Sequence, residues 1–429
     1  MTELGVGFVD HAVALDEDSL MLAGWLKGVA DGGTARLKGS ARRGTPIELM
    51  YRFRRPDVEA LAEGADVRGF VCLAEAPGAA RNTARLRLEV TDTGGAVGAL
   101  EIPQPIHDPV LGREQVFHLF TLGTPDFAFY ATQAHPAVER LRARIEPGIS
   151  SHSFERGRLP GGGATSVIIA VYGSLALLAP QVALLAEDPE LRRSEIVIVL
   201  DSPELEEAFL RLSADLHQLY GLPMRGVVMG QNSGFAHANN AAVAHATGEH
   251  LLFLNSDVFP ERHGWLEKMV AAHNEGGGAA ATGAKLLYED GALQHAGMYW
   301  ERDRASGDWR TLHFHKGMPG TFAAANEARP VPALTGACLL VGRSEYEAVG
   351  GFDPAYVLGD FEDSDLCIRL QESGRPCRYE PAAELVHLER QSFGPRSDAL
   401  AGDGRLAYNR WLFKHRWNDR VEHLMAAFG

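Results

Sequence analysis

The chain has 429 residues, of which 45% are apolar and 23% are charged, the proportions of an ordinary globular protein. This length predicts two domains with a full core. The formal net charge of −15 would repel a phosphate backbone, which excludes nucleic acid as an expected partner.

Three further features indicate the compartment. No stretch reaches the roughly 20 apolar residues that a transmembrane helix needs, so no transmembrane segment is predicted. The first residues include Glu3, Asp10 and Asp16, where a signal peptide would carry positive charge. The four cysteines form no C-x-x-C pair and are expected to be reduced apolar side chains. We expect a cytoplasmic protein, with peripheral attachment to the inner membrane as the alternative.

The first part of the chain, residues 1–146, predicts short strands separated by turns. The strand-like segments cover 20–26, 47–53, 70–73 and 86–90. Short strands without long amphipathic helices indicate a separate all-β, sandwich-like accessory domain, followed by a helix around 135–145. Residues 147–164, which include a Leu-Pro-Gly-Gly-Gly run, are predicted to be a flexible linker.

From residue 165 the pattern alternates between strands and helices. The predicted strands are 167–171, 195–200, 225–229 and 338–341, and the predicted helices are 174–186, 204–219, 235–246, 361–372 and 404–426. Such alternation requires a mostly parallel sheet with right-handed crossovers. No G-x-G-x-x-G follows the first strand, which argues against a dinucleotide site.

The most informative strand end lies at residues 249–257. Four apolar residues, Leu251 to Leu254, predict a strand buried on both faces, and it stops at Asn255-Ser256-Asp257. Asn255 and Asp257 project to one side in extended chain, and their oxygens suit a divalent cation that holds phosphate. The alternative is a turn in which Asp257 caps a helix over 264–273.

Several blocks in 165–393 together resemble the family 2 glycosyltransferases of the GT-A fold, especially the bacterial rhamnosyltransferase-like branch. These blocks, in the order of the family, are residues 166–172, 231–236 with 239–240, 255–257, 283–287, 294–297, 335–337 and 361–366. The resemblance implies a GT-A domain over 165–395, a Rossmann-like mixed or mostly parallel sheet with flanking helices. Residues 396–429 are predicted to form a C-terminal helical tail.

The resemblance also implies a nucleotide site. Asp201 would accept a hydrogen bond from the imide nitrogen of uracil or thymine, while also capping the helix that begins near Pro203. Ala170, Val171 and Tyr172 would flank the base, although family members commonly have proline at the position of Ala170. Further donor contacts are expected from Asn232, Asn239, Asn255, Ser256, Thr335, Gly336, Ala337 and Glu362. The two asparagines at 232 and 239 are chosen because buried amides need partners, and Gly336 because backbone there can approach a sugar.

The expected metal site departs from the family pattern. Family members usually have aspartate where this chain has Asn255, so Asp257 becomes the principal carboxylate for Mn²⁺ or Mg²⁺. His387 matches a histidine that the family uses as a further ligand, with a satisfied core histidine as the alternative. His295, His313 and His315 are interpreted as surface histidines, since no cysteine accompanies them.

The predicted helix 361–372 carries the expected catalytic base. Asp363 shares one helical stripe with Leu366, Cys367 and Leu370, where an acid is costly unless it is used. Glu362 and Asp365 fall on the other face, where they would complement the helix dipole, and Asp365 is placed for an i,i+4 ion pair with Arg369. In the family this Glu-Asp motif supplies the base, which assigns the catalytic role to Asp363.

The resemblance implies an inverting sugar transfer from a UDP- or dTDP-sugar to a glycan, lipid-linked or protein acceptor, in bacterial surface polysaccharide or glycoconjugate synthesis. The N-terminal domain is the expected contact for a second copy or another partner. Two alternatives stay open: a non-catalytic scaffold that binds sugar or nucleotide, and a nucleotidyltransferase. The second would need a basic, glycine-rich loop after the first strand, where this chain has Tyr172-Gly-Ser174.

Overall fold

The chain divides into two compact units. The computed structural model describes residues 7–29, 33–39, 44–47, 50–60, 67–119, 126–160, 164–304, 309–388 and 404–428. One unit comprises Met1–Gly148 and Ala399–Trp411, and the other comprises Ile149–Asp398 and Leu412–Gly429.

The first unit is built on two antiparallel four-stranded sheets, ordered β1-β2-β6-β5 and β4-β3-β7-β8. The strands are β1 Phe8–Ala14, β2 Ser19–Lys27, β3 Thr34–Lys38, β4 Thr45–Ile47, β5 Met50–Phe53, β6 Val67–Glu75, β7 Arg87–Thr91 and β8 Val97–Glu101. Leu22 and Phe70 of one sheet share a core with Leu37 and Leu88 of the other, as expected for a sandwich.

Two details of this unit differ from the predictions. The expected strand over 47–53 contributes to both sheets, as β4 and β5, and residues 48 and 49 lie outside the described residues. Helices also accompany the sheets: α1 Pro56–Glu59, α2 Pro109–Leu119, α3 Phe127–Phe129 and α4 His135–Ile145. Of these, only α4 was predicted. The apolar side chains of α2 are too irregularly spaced to indicate a helix from sequence.

The second unit contains one large mixed sheet, whose main path runs β14-β21-β15-β20-β13-β10-β11-β12-β9. Its strands are β9 Ser151–Arg156, β10 Thr165–Val171, β11 Glu195–Leu200, β12 Met224–Met229, β13 His250–Asn255, β14 Val258–Pro260, β15 Ala281–Leu287, β16 Leu293–His295, β19 Arg329–Val331, β20 Cys338–Gly342 and β21 Cys377–His387. A separate hairpin is formed by β17 Met298–Arg302 and β18 Trp309–His313.

The helices of the second unit lie close to the predicted ones, except that α9 was not predicted and α8 was expected only in the turn alternative. They are α5 Leu178–Glu187, α6 Glu206–Tyr220, α7 Phe235–His245, α8 Trp265–Asn274, α9 Arg343–Ala348, α10 Glu362–Gln371 and, continuing from the first unit, α11 Gly404–Phe428. Within the described parts of the chain, every helix is too short or too polar to cross a bilayer.

Strand direction decides where the polar strand ends collect. Strands β10, β11 and β13 are parallel, so all three end at one edge of the sheet. Strand β20 is antiparallel to β13 and therefore begins at this edge. Strand β15 is antiparallel to β20, and β21 is parallel to β15, so β21 also ends there. We call this side the carboxyl edge. The predicted mixed α/β class is confirmed.

The linker interpretation of 147–164 is wrong for its central part. Residues Ser151–Arg156 form β9, which pairs antiparallel with β12 and covers the outer side of that strand. A strand edge without a partner leaves backbone donors and acceptors unpaired, which explains why this segment is recruited to the sheet. Residues 161–163 of the predicted linker lie outside the described residues.

Candidate active site at the carboxyl edge of the sheet

Asp201 follows β11 and is held by the loop before α7. Its Oδ1 accepts a hydrogen bond from the Ser233 backbone N–H at 2.8 Å, and its Oδ2 accepts one from Gly234 N–H at 2.7 Å. The predicted cap of the helix near Pro203 is wrong, since the N-terminus of that turn receives no side-chain bond. Both carboxylate oxygens are already used by the neighbouring loop.

Burial raises the pKa of Asp201 to about 7, against the opposing effect of the two N–H donors. Only 4% of this residue is exposed. Beside it at the end of β10, Val171 is buried, Ala170 is half-buried and Tyr172 is exposed. The carboxylate is therefore sensitive to protonation near neutral pH, and the Tyr172 ring is available to a ligand.

Asp257 and His387 meet because β14 pairs with β21. The register places Val258 opposite His387, and His387 Nε2 lies 3.3 Å from Asp257 Oδ1. Both residues are buried. Asn255 ends β13 one residue before the turn, and its backbone N–H donates to Ala337 O at 2.9 Å. Asp257 does not cap α8, whose N-cap position is Gly264 and which receives no side-chain cap.

These side chains form a donor set that suits a hard divalent cation. They offer one carboxylate, one imidazole and, from Asn255, one amide oxygen. His387 Nδ1 is buried and has no hydrogen-bond partner among the described residues. Among the described residues, this site included, no group of three or more His, Cys, Asp or Glu side chains is arranged for a metal, so Asp257 and His387 supply only two such ligands. The residues present therefore fit a cation at Asp257, with Asn255 in place of a second carboxylate.

Asp363 lies in the first turn of α10 and reaches back to the start of β20. Its Oδ2 accepts a hydrogen bond from Gly336 N–H at 3.0 Å, and its Oδ1 accepts one from Ser364 N–H at 2.6 Å. Desolvation raises the pKa of Asp363, while these backbone donors oppose the shift. The adjacent Glu362 is buried, its Oε2 has no partner among the described residues, and burial raises its pKa well above the usual value.

The apolar residues of the predicted stripe of α10 are buried, but the expectation that Asp363 is its buried acid is wrong. Glu362 and Asp365 are 8% and 1% exposed, whereas Asp363 is only half-buried. The second face is covered because α11 packs on it, with Trp417 Nε1 donating to Asp365 Oδ1 at 2.7 Å. The predicted ion pair of Asp365 with Arg369 is present, at 2.6 Å. Asp363 is thus the acid of this motif that faces the edge of the sheet.

The other predicted contacts take different positions. Asn239 is buried but donates to Phe235 O of its own helix at 2.8 Å, and Asn232 is exposed, so the argument from buried amides is wrong for both. Ser256 and Thr335 are half-buried at the carboxyl edge. The Thr335 hydroxyl accepts from Ala337 N–H at 3.3 Å, which shapes the turn before β20.

Backbone and ring contacts connect the segments that hold Asp201, Asn255 and Asp363. Gly234, which holds Asp201, precedes Phe235, and the Phe235 ring lies near Gly336, the residue that holds Asp363. Ala337, next in the chain, accepts from Asn255. Asp201 after β11, Asn255 at the end of β13 and Asp363, held by the turn before β20, therefore belong to one connected edge.

His295 is not a surface histidine. It is 0% exposed, and its Nδ1 lies 2.9 Å from Nδ1 of His313 on β18. Burial lowers the pKa of His295 well below its usual value. His313 and His315 are half-buried. The pairing of β16 with β15 places His295 inside the sheet, an arrangement that local sequence does not reveal.

Sequence reasoning missed the roles of the Ser233 and Gly234 backbone and of Trp417. Gly234 has a φ of +87°, and a Cβ there would lie 2.7 Å from the Leu358 Cα. A glycine in an Asn-Ser-Gly turn is a visible signal for such a conformation. No local pattern could connect Trp417 with Asp365, which lies 52 residues earlier.

Comparison with known proteins identifies the family of this region. Residues 166–340 match the family model Glycosyl transferase family 2. Asp363 and His387 lie outside this matched range.

Three relatives have similar segments. An uncharacterized protein y4gI of Sinorhizobium fredii is 34% identical over 179 residues, which covers 42% of this chain and 19% of that protein. The O-antigen biosynthesis protein RfbC of Myxococcus xanthus is 34% identical over 183 residues, covering 41% and 14%. An N-acetylglucosaminyl-diphospho-decaprenol L-rhamnosyltransferase of Mycobacterium tuberculosis is 47% identical over 66 residues, covering 15% and 21%. The chain spans about a fifth or less of each relative. Its residues 166–340 belong to the family 2 glycosyltransferases.

Proposed function

We propose that this protein transfers a sugar from a UDP- or dTDP-sugar to an acceptor hydroxyl with inversion at the anomeric carbon. The proposal is carried by Asp363, a half-buried carboxylate that Gly336 N–H holds at the edge where Asn255 and Asp257 end the neighbouring strand. A carboxylate with a raised pKa, fixed by backbone donors, is suited to accept a proton.

In the proposed reaction the acceptor hydroxyl attacks the anomeric carbon from the side opposite the diphosphate. The new bond joins the acceptor oxygen to that carbon, the bond to the diphosphate oxygen breaks, and the nucleoside diphosphate leaves with the electron pair. Asp363 takes the proton of the attacking hydroxyl. Since Asp363 acts as a base, no covalent intermediate with the protein is needed.

The nucleoside diphosphate of the donor is assigned to the other residues of the carboxyl edge. Asp201 would accept from the imide N–H of the base, and Tyr172 would lie against the base. Asp257, His387 and Asn255 would hold Mn²⁺ or Mg²⁺, which neutralises charge on the leaving diphosphate when bound. The closeness of Asp257 to His387, at 3.3 Å, supports this assignment.

The relatives support a role in bacterial surface polysaccharide or glycoconjugate synthesis. One is named as an O-antigen biosynthesis protein and another as a rhamnosyltransferase that acts on a lipid-linked diphosphate sugar. We propose a glycan, lipid-linked or protein acceptor for this chain, and a cytoplasmic location.

A panel of UDP- and dTDP-sugars, each with Mn²⁺ or Mg²⁺, tests the proposal. We expect release of nucleoside diphosphate from at least one donor, and loss of release when EDTA is added. A non-catalytic scaffold would release no nucleotide, and a nucleotidyltransferase given a sugar phosphate and UTP or dTTP would release pyrophosphate. Either result would contradict the proposed transfer.

A further inference from the structure

The segment before α10, the helix that carries Asp363, has an unfavourable backbone conformation. Leu358, Asp360 and Phe361 have φ values of +63°, +89° and +75°. Residues that have a Cβ rarely adopt this left-handed backbone conformation, so surrounding contacts must stabilise the segment. On one side, Phe235 N–H donates to Leu358 O at 2.9 Å. We call residues Leu358–Phe361 the pre-helix segment. Its geometry fixes where α10 begins, and with it the position of Asp363 in the first turn.

Helix α11 contacts the end of this segment through Phe413. The Phe413 ring lies 5.3 Å from the Phe361 ring and 5.8 Å from the Trp300 ring of β17, measured between centroids. Phe413 is 4% exposed, and aromatic pairs at these separations are stabilising. One side chain of α11 therefore packs both on the residue before Glu362-Asp363 and on the neighbouring hairpin.

A second contact from α11 reaches the first turn of α10. Trp417 Nε1 donates to Asp365 Oδ1 at 2.7 Å, and the Tyr356 hydroxyl donates to the same oxygen at 3.1 Å. Asp365 Oδ2 pairs with Arg369, whose guanidinium also donates to Val349 O at 2.7 Å. A carboxylate that is 1% exposed requires such partners. The loss of one partner therefore affects the other hydrogen bonds and the ion pair of Asp365 as well.

Asp365 is joined directly to the pre-helix segment, since Asp365 N–H donates to Phe361 O at 2.9 Å. The same residue thus receives the indole of α11 through its side chain and closes the first helical turn through its backbone. Asp363 lies inside that turn. The contacts from α11 converge on the start of α10, where a small displacement would move the base.

We infer that Trp417 and Phe413 are positioning residues: through Asp365 and Phe361 they hold the pre-helix segment, and with it Asp363, in the arrangement that faces the carboxyl edge. The consequence for turnover rests on the base role proposed for Asp363. The consequence for backbone order does not.

The test compares two tryptophan-to-phenylalanine variants in the full chain. Trp417→Phe removes the indole N–H that binds Asp365 and keeps an aromatic ring. Trp265→Phe is the matched control, because Trp265 is 1% exposed and its Nε1 has no hydrogen-bond partner among the described residues. Hydrogen exchange by mass spectrometry is measured on peptides that cover residues 358–365.

We expect Trp417→Phe to speed exchange in these peptides about tenfold, the change that follows from losing one hydrogen bond to a charged group. Trp265→Phe should leave them unchanged. Equal exchange in Trp417→Phe and the wild type would overturn the inference, whether or not the protein turns over any donor.

The second readout separates positioning from general loss of stability. With UDP-sugars as donors, Trp417→Phe should lower kcat for UDP release about tenfold while KM and UDP affinity change less than twofold. Faster exchange with an unchanged kcat would overturn the positioning of Asp363. If the wild type releases no nucleotide, the proposed function fails instead, and the exchange result still decides whether α11 holds the segment.

Discussion

At the scale of single residues, two aspartates of the carboxyl edge have different surroundings. Asp201 is fully buried and both of its oxygens accept N–H groups of one loop. Asp363 is half-buried and has one oxygen directed to Gly336 and the other to its own helix. A carboxylate enclosed by backbone donors is suited to recognition, and one that faces the edge is suited to proton transfer.

We predict that Asp363→Asn lowers the rate of sugar transfer by a factor of about 10² to 10⁴, the usual contribution of a general base. UDP affinity should stay within about twofold, because Asp363 does not contact the nucleotide in the proposed reaction. Steady-state rates and calorimetric UDP titration check the two parts. In the wild type, kcat should fall on the acid side at a higher pH than an ordinary aspartate would give, since the pKa of Asp363 is raised. A variant with unchanged kcat would remove Asp363 from the base role.

A second prediction concerns Asp201, whose pKa is raised to about 7. The ionised carboxylate is the form that accepts the imide N–H, so affinity for uridine should rise as the pH rises through this value. We expect about tenfold tighter binding at pH 8 than at pH 6, from the change in ionised fraction. Uridine is the ligand because it has no titrating phosphate, and NMR titration gives the affinity. Asp201→Asn should show no such pH dependence, and an equally flat wild type would contradict the assignment.

At the scale of elements, α10 shows which features of a helix the hydrophobic periodicity of the sequence can predict and which it cannot. The helix bounds follow from sequence, and the expected 361–372 is close to Glu362–Gln371. The exposed face does not follow, because α11 covers the side that carries Asp365. A helical pattern indicates which residues share a face, but it cannot indicate which distant element packs on the other face. The same limit explains why β14 and β21, which bring Asp257 to His387, were not predicted to pair.

The turn before α7 gives a third prediction. Gly234→Ala would place a Cβ 2.7 Å from the Leu358 Cα at a φ of +87°. The control is Gly350→Ala, where φ is +80° but no atom lies within 4 Å of the added Cβ. Both should lose about 1 kcal/mol of unfolding free energy through the left-handed backbone, and Gly234→Ala should lose about 1–3 kcal/mol more through the clash. Urea denaturation measures the unfolding free energy of each variant. Equal losses in the two variants would show that the turn before α7 does not pack against the pre-helix segment as described.

At the scale of the whole molecule, the alternation of strands and helices was enough to predict the mixed sheet. It also predicted that most of the candidate site residues lie at one edge of that sheet. Strands that are parallel neighbours must end together, so Asp201 and Asn255 could be placed from sequence alone. The prediction of a linker was wrong because β9 pairs with the sheet there. The prediction that His295 lies at the surface was wrong because β16 buries it. Both errors come from strand pairing between segments that are far apart in sequence.

The central claim is that the acids of the carboxyl edge collect around a cation-bound diphosphate. The most direct test titrates UDP into the full chain by calorimetry, with Mn²⁺ and with EDTA. Asp257→Ala and His387→Ala serve as variants, and Asp215→Ala, at an exposed site on α6, serves as the control. We predict that Mn²⁺ tightens UDP binding at least about tenfold in the wild type and the control, and that Asp257→Ala removes this gain, with His387→Ala reducing it. The same Mn²⁺-dependent affinity in Asp257→Ala and in the wild type would contradict the claim.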